Sequence, residues 1–150
     1  MDIEHFHLAQ LNIARMRFAL DDPRMADFVA GLGRINALAD AAPGFVWRLQ
    51  SESGNATDIQ AFADPHLLVN MSVWESSDAL RAYAYRSQHA DFLRRRQEWF
   101  APMETPTQVL WWVTTGHIPT VSEAKERLEH LTAYGPTPQA FTFRTAFPPL

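Results

Sequence analysis

MSVWESSDALRAYAYRSQHADFLRRRQEWF, residues 71–100, passes from a strand to a helix within a few positions. Met71 and Val73 alternate with Ser72 and Trp74, the period of a strand whose two faces differ. Ser76 or Ser77 can cap a helix, because a serine oxygen accepts from the unpaired N–H groups of a first turn. The helix predicted from there reaches about residue 100. Leu80, Tyr83 and Ala84 form its early stripe, and His89, Phe92, Leu93, Arg96 and Phe100 continue at helical spacing. The stripes do not join, which predicts a kink or break at Arg86–Gln88.

Upstream of this stretch, residues 66–74 (HLLVNMSVW) form one strand, with Leu67, Val69, Met71 and Val73 on an apolar face and Leu68, Asn70, Ser72 and Trp74 on a mixed one. Residues 45–50 (FVWRLQ) form another, with Phe45, Trp47 and Leu49 alternating with Val46, Arg48 and Gln50. The polar segment 51–65, turning at Gly54-Asn55, joins the two as a hairpin. Before them, residues 6–15 (FHLAQLNIAR) repeat the pattern: Ala9, Leu11 and Ile13 share an apolar face, and Phe6, Leu8, Gln10 and Asn12 share a mixed one. Two amides on a face that begins with Phe6 and Leu8 suit contact with a ligand or partner, or a sheet edge near solvent. Asp22-Pro23 opens a helix to about Asp40, and Pro43-Gly44 ends it.

Downstream, Pro102 and Pro106 stop the central helix, and residues 108–115 (QVLWWVTT) form a further strand. Thr120 or Ser122 caps a last helix, which ends at Gly135-Pro136. Residues 140–147 form a fifth strand or an extended arm. The order is βαββαβ with an αβ tail, an α+β chain with an antiparallel ferredoxin-like sheet and both core helices on one face. The expected unit is one domain over 1–150, with a core at about 5–115 and an extension at 116–150. An apolar helix-facing side leaves the opposite side needing cover, which a second copy would supply as a homodimer.

Composition narrows the chemistry. Net charge is −4, and 47% of the residues are apolar, so no global field favours nucleic acid. Arg94, Arg95 and Arg96 point about 100° apart on a helix. They read as one arginine tethering a carboxylate beside two solvated ones, or else as a site for an acidic ligand. No cysteine is present, which removes thiolate ligands and thiol nucleophiles. No run of apolar residues approaches the ~18 needed to span a membrane. The start, MDIEHFHLAQ, lacks the pattern of a signal peptide, so a cytoplasmic location is expected.

His5-X-His7 would set two imidazoles on one face of a strand, but the other histidines show no ligand spacing, and no HExxH or G-x-S-x-G motif occurs. What remains is an aromatic pocket with a few polar groups, drawn from Asn12, Trp47, Trp74, Tyr83, Tyr85, His89, Trp99, Trp111 and Trp112. Such a set suits a flat apolar molecule oriented by one or two hydrogen bonds. The competing reading makes the tryptophans core and gives His89 a local hydrogen bond.

V-W-E-S-x-x-A-L from Val73, followed by A-Y-x-Y-R-S-x-H-x-x-F, resembles the dimeric α+β barrel superfamily that includes antibiotic-biosynthesis-type monooxygenases. Tyr85-Arg86-Ser87-x-His89, Arg94-Arg95-Arg96-x-Glu98-Trp99-Phe100, Leu110-Trp111-Trp112, Gly116-His117-x-Pro119-Thr120 and Gly135-Pro136-Thr137-Pro138-x-Ala140-Phe141 resemble, more narrowly, a bacterial family of domains of unknown function. The broader resemblance implies a dimer. It does not imply a known reaction, and the function expected is that of the cofactor-independent monooxygenases the chain resembles, acting on a small aromatic or lipophilic compound. By that resemblance Asn12, Trp74 and Tyr83 fall at counterparts of the residues that serve an aromatic substrate. Together with the pocket reading, this makes Asn12, Tyr83 and His89 the catalytic candidates, with His89 as a general base, and Trp74, Trp47, Tyr85 and Trp112 the substrate-binding ones. No cofactor is expected. In the haem-degrading branch the helical histidine would fall near Leu93 or Arg94, one turn beyond His89, so haem enters only as the alternative in which His89 is a displaced ligand. The alternative is a non-catalytic dimer that binds or senses a small hydrophobic molecule, with no nucleic acid or membrane as partner.

Overall fold

The computed structural model describes residues 5–51, 56–57, 59–86 and 94–149, without the side chain of Arg86. Its centre is β1 (Phe6–Met16), hydrogen-bonded along both edges. On one side β1 runs antiparallel to β3 (Leu67–Trp74), which in turn pairs with β2 (Phe45–Arg48). On the other side β1 pairs with β5 (Gln108–Thr114) over its first half and with β4 (Phe100–Ala101) at its end. The sheet is antiparallel throughout, in the βαββαβ ferredoxin-like arrangement.

The two faces of β1 meet different neighbours. Ala9, Leu11 and Ile13 align with Val73, Met71 and Val69 of β3, and all six are buried in one core with Val109, Trp111 and Val113 of β5. That face is covered by α4 (Val121–Tyr134), whose Ala124, Leu128 and Leu131 lie one turn apart and join the same core. Thr120 caps α4 by accepting from the Glu123 N–H at 3.1 Å. The chain's own last helix thus packs on the side that the strand pattern leaves to a second copy.

The opposite, mixed face lies beneath α1 (Ala26–Ala41) and α2 (Ser77–Arg86). This reverses the expectation that the helices cover the purely apolar side. Two apolar clusters bound the face. At one end Leu8, Trp74, Leu80, Leu110 and Phe141 pack together; at the other Met16, Met25, Phe28, Leu68 and Trp99 do.

Asp22 caps the chain's entry into α1 by accepting from the Arg24 N–H, with Pro23 in the first turn of the 3-10 segment Pro23–Met25. The guanidinium of Arg24, bonded to the same carboxylate, holds the Asp22 pKa down at about 2. The central helix does not reach residue 100. α2 is described to Arg86, and the expected break at Arg86–Gln88 lies largely outside the described residues. The chain continues as the short α3 (Arg96–Trp99), and Phe100 is already in β4, because the end of β1 offers Arg15 and Met16 as pairing partners. Residues 140–147 form an extended arm rather than a strand. Phe141 makes a single bridge to Leu110, and the Trp112 indole donates to the Phe147 carbonyl at 2.7 Å.

Gly44 turns the chain from α1 into β2 at φ 81°, and a Cβ there would sit 2.5 Å from the Ala79 Cβ on α2. Its carbonyl accepts from the Glu75 N–H at 2.7 Å, so the turn also sets where α2 begins. Gly44→Ala is expected to destabilise the fold by about 1–3 kcal/mol, the cost of a strained left-handed residue, before any clash is counted. The urea unfolding midpoint measures this, and an unchanged midpoint would contradict the reading.

Candidate functional site

The registers that build the sheet also order the mixed face into rows. Phe45, Trp74, Leu8 and Trp112 align across four strands as an apolar row. The next row is Arg48, Ser72, Gln10 and Leu110, and the one after is Asn70, Asn12 and Gln108. Side chains directly opposite one another across strands share a face. Six polar residues therefore form a band across the middle of the sheet, between the two apolar clusters.

The band is internally bonded. Gln10, 3% exposed, donates through Nε2 to Asn70 Oδ1 at 2.7 Å and to Ser72 Oγ at 2.9 Å. Its Oε1 accepts from Gln108 Nε2 at 3.4 Å. Ser72, 6% exposed, also accepts from the Trp74 indole at 2.8 Å. An indole N–H can only donate, so this last bond has one direction. With both acceptor positions of Ser72 filled, its hydroxyl proton remains to donate among the described residues, as do the Nδ2 hydrogens of Asn70. The buried amide costs little here because its hydrogen bonds are made; no buried side-chain polar atom among the described residues lacks a partner.

Above the band lies a cavity of about 840 Å³, within the range that holds a drug-sized molecule, roughly 300–1,000 Å³. All six band residues line it. Phe28, Leu32 and Ile35 of α1, Leu80 and Tyr83 of α2, and Trp99 of α3 supply its apolar walls. Arg17, Arg48 and Arg96 also reach it, and no Asp, Glu, Lys or His lines it among the described residues. Arg48 sits opposite Ser72 and is paired with Asp40 at 2.8 Å.

Tyr83 stands on the wall. Its ring stacks on Trp74 with centroids 5.1 Å apart, a contact worth about 0.5–1.5 kcal/mol beyond the area it buries. Its hydroxyl donates to the Ile35 carbonyl at 3.1 Å, tying α2 to α1. Burial raises its pKa above the ordinary tyrosine value, with Asp40 adding to the effect and Arg48 opposing it. At neutral pH Tyr83 is a neutral hydrogen-bonding group and not a base.

Of the residues singled out in the sequence, Asn12, Tyr83, Tyr85 and Trp99 line the cavity, Tyr85 from an exposed position. Trp74 does not: it is 0% exposed and lies behind Tyr83, bonded to Ser72 and edge-on to Phe45 at 5.4 Å. Trp112 holds the C-terminal arm instead. Trp47 lies on the far side of the sheet, packed against the core beneath α4. A bulge between Phe45 and Trp47 reverses the alternation there, so that Arg48 joins Phe45 on the cavity side and Trp47 does not. Trp111 is also on the α4 side, donating to Glu123 at 2.9 Å. His89 lies outside the described residues. Gln10, Asn70 and Ser72 were visible as polar positions on otherwise apolar strands. Gln108 and Arg48 needed the register. Among the described residues no three histidines or carboxylates come together as a metal site would require.

Two outcomes test this geometry. Ser72→Ala strands the Trp74 indole and one Gln10 N–H in a buried place, and should cost about 1–3 kcal/mol in chemical unfolding. A loss no larger than at a surface serine would show that the band is not held together as described. For Tyr83 the raised folded pKa gives the sign. Its contribution is complete below the unfolded value of 10.0 and declines as pH rises past it, because the unfolded state then releases its proton first. Stability measured on the alkaline side of that value should fall less steeply for Tyr83→Phe than for the parent; parallel curves would refute the assignment.

Comparison with solved structures gives likeness of fold. The Rv0793 protein of Mycobacterium tuberculosis is 13% identical, with 76% of this chain and 99% of that one covered at a TM-score of 0.51. SnoaB, a cofactor-independent oxygenase of Streptomyces nogalater, is 17% identical over 75% of this chain and 95% of its own, at 0.46. A monooxygenase of Streptomyces coelicolor solved in complex with nanaomycin D is 16% identical over 79% and 95%, at 0.41. No curated protein sequence matches significantly. Residues 7–150 match one family over nearly the whole chain, and the protein belongs to it: the Domain of unknown function (DUF3291) family.

Proposed function

We propose that the cavity between α1 and the sheet binds a small aromatic or lipophilic molecule bearing oxygen acceptors. We further propose that the protein acts on this molecule as a cofactor-independent monooxygenase. The observation that supports the first part is the polar band: hydrogen-bond donors fixed in the floor of a cavity with apolar α1 and α2 walls, where a ligand's carbonyl or phenolic oxygen would find them. Apolar walls would hold the body of the ligand by burial. The second part rests on the resemblance of residues 72–92 to the monooxygenase superfamily.

In this reading Asn12 orients the substrate from the floor, and Tyr83 lines the wall as a neutral ring whose hydroxyl proton is given to the Ile35 carbonyl. Tyr85 closes the exposed side, and Trp74 acts by fixing Tyr83 and Ser72. His89 would relay a proton. The reading keeps the homodimer that the resemblance implies.

One observation favours a non-catalytic binder instead. Among the described residues the lining holds neither an imidazole nor a carboxylate, so it offers no general base. Oxygen uptake by the purified protein with anthrone-like and quinol substrates separates the two. The enzyme reading expects uptake that falls at least tenfold in Asn12→Ala and in His89→Ala. Saturable binding of the same compounds without uptake establishes the binder.

A further inference from the structure

We propose that the α3 end of this cavity is a subsite for an anionic group, so that the ligand is an amphipathic acid with its apolar body against α1 and its charge at Arg17 and Arg96. The inference rests on the reading of the cavity as a small-molecule site and adds a substrate class to it.

Three arginines line the cavity and no carboxylate does among the described residues. They are not equivalent. Arg48 is already neutralised by Asp40, and its side chain is only 12% exposed. Arg17 follows directly on β1. Its backbone N–H donates to the Trp99 carbonyl at 2.8 Å, and its Nε donates to the Gln97 carbonyl at 2.9 Å. Both partners are neutral, so the guanidinium is positioned against α3 while its charge is kept. Arg96 stands at the start of α3, next to the residue that holds Arg17. Neither Arg17 nor Arg96 forms an ion pair among the described residues.

The acidic neighbours are engaged elsewhere. Glu98 and Asp27 both bind Arg95, at 2.8 and 2.9 Å, on the outside of the α1–α3 contact. Consecutive arginines on one helical turn therefore have different tasks: Arg95 ties α3 to α1, and Arg96 faces the cavity. In a chain whose net charge is −4, two cations that form no ion pair among the described residues, set beside an apolar hollow, are not a by-product of a basic surface. Phe28, Leu32 and Trp99 line the cavity with them, which suits a ligand whose anionic group adjoins an apolar body. A guanidinium binds a carboxylate through charge-assisted, often paired, hydrogen bonds that a neutral amide cannot match.

Calorimetric titration of the full chain with 2-naphthoate, 2-naphthyl phosphate and uncharged 2-naphthamide tests this. The expected result is that the acid binds about tenfold or more tightly than the amide at low salt. The Arg17→Gln/Arg96→Gln variant should erase that preference while leaving amide binding intact, and Arg34→Gln, a charge control outside the cavity, should keep it. Preference for the phosphate over the carboxylate also supports the anion subsite and identifies the headgroup. If acid and amide bind alike, or the double variant keeps the preference, the anion subsite is overturned while the cavity reading stands. If none of the three binds, both are overturned.

Discussion

Everything in the structure depends on β1 being paired along both edges while its two faces differ in chemistry. Hydrogen bonding to β3 on one side and to β5 and β4 on the other removes any freedom of register. A slip of one residue would carry Gln10 and Asn12 into the apolar core under α4, and Leu11 and Ile13 into the cavity. The alternation is therefore both the folding signal and the device that places the polar band.

The band shows why a cavity persists in this place. Close packing of α1 and α2 on the sheet is achieved at two ends, where Leu8, Trp74 and Leu80 meet and where Met16, Phe28 and Trp99 meet. Between them the floor is amide and hydroxyl, which apolar helix side chains cannot cover without stranding donors. The same physical fact keeps Ser72 and Asn70 poised to donate. Tyr83 bridges the two regimes: its ring belongs to the Trp74 cluster, and its hydroxyl ties the helices together over the opening.

Much of this was legible in the chain. The paired faces of residues 6–15 and 66–74 showed which residues lie together, and the two amides on a partly apolar face pointed to a ligand surface. Asn12 was reachable that way, whereas Tyr83 came from the aromatic set and the resemblance, and the tethering role that Arg95 fills came from the arginine run itself. Trp47, Trp74 and Trp112 were not. A large aromatic reads the same whether it lines a cavity or fills a core, and a one-residue bulge before Trp47 is silent in the pattern. The role of α4 was likewise hidden, because its stripe of Ala124, Leu128 and Leu131 fits any apolar face, in the same chain or in another.

The elements, the antiparallel α+β class and the unlike faces of the strands can be read from the chain alone, because they follow from local periodicity and from capping and turn residues. Packing in three dimensions settles which face each helix covers, which polar side chains meet in one band and, among the described residues, which arginines form no ion pair. Those depend on strand register and on contacts between residues some 50 to 100 positions apart, such as Gln10 with Ser72 and Gln108, which no local pattern encodes.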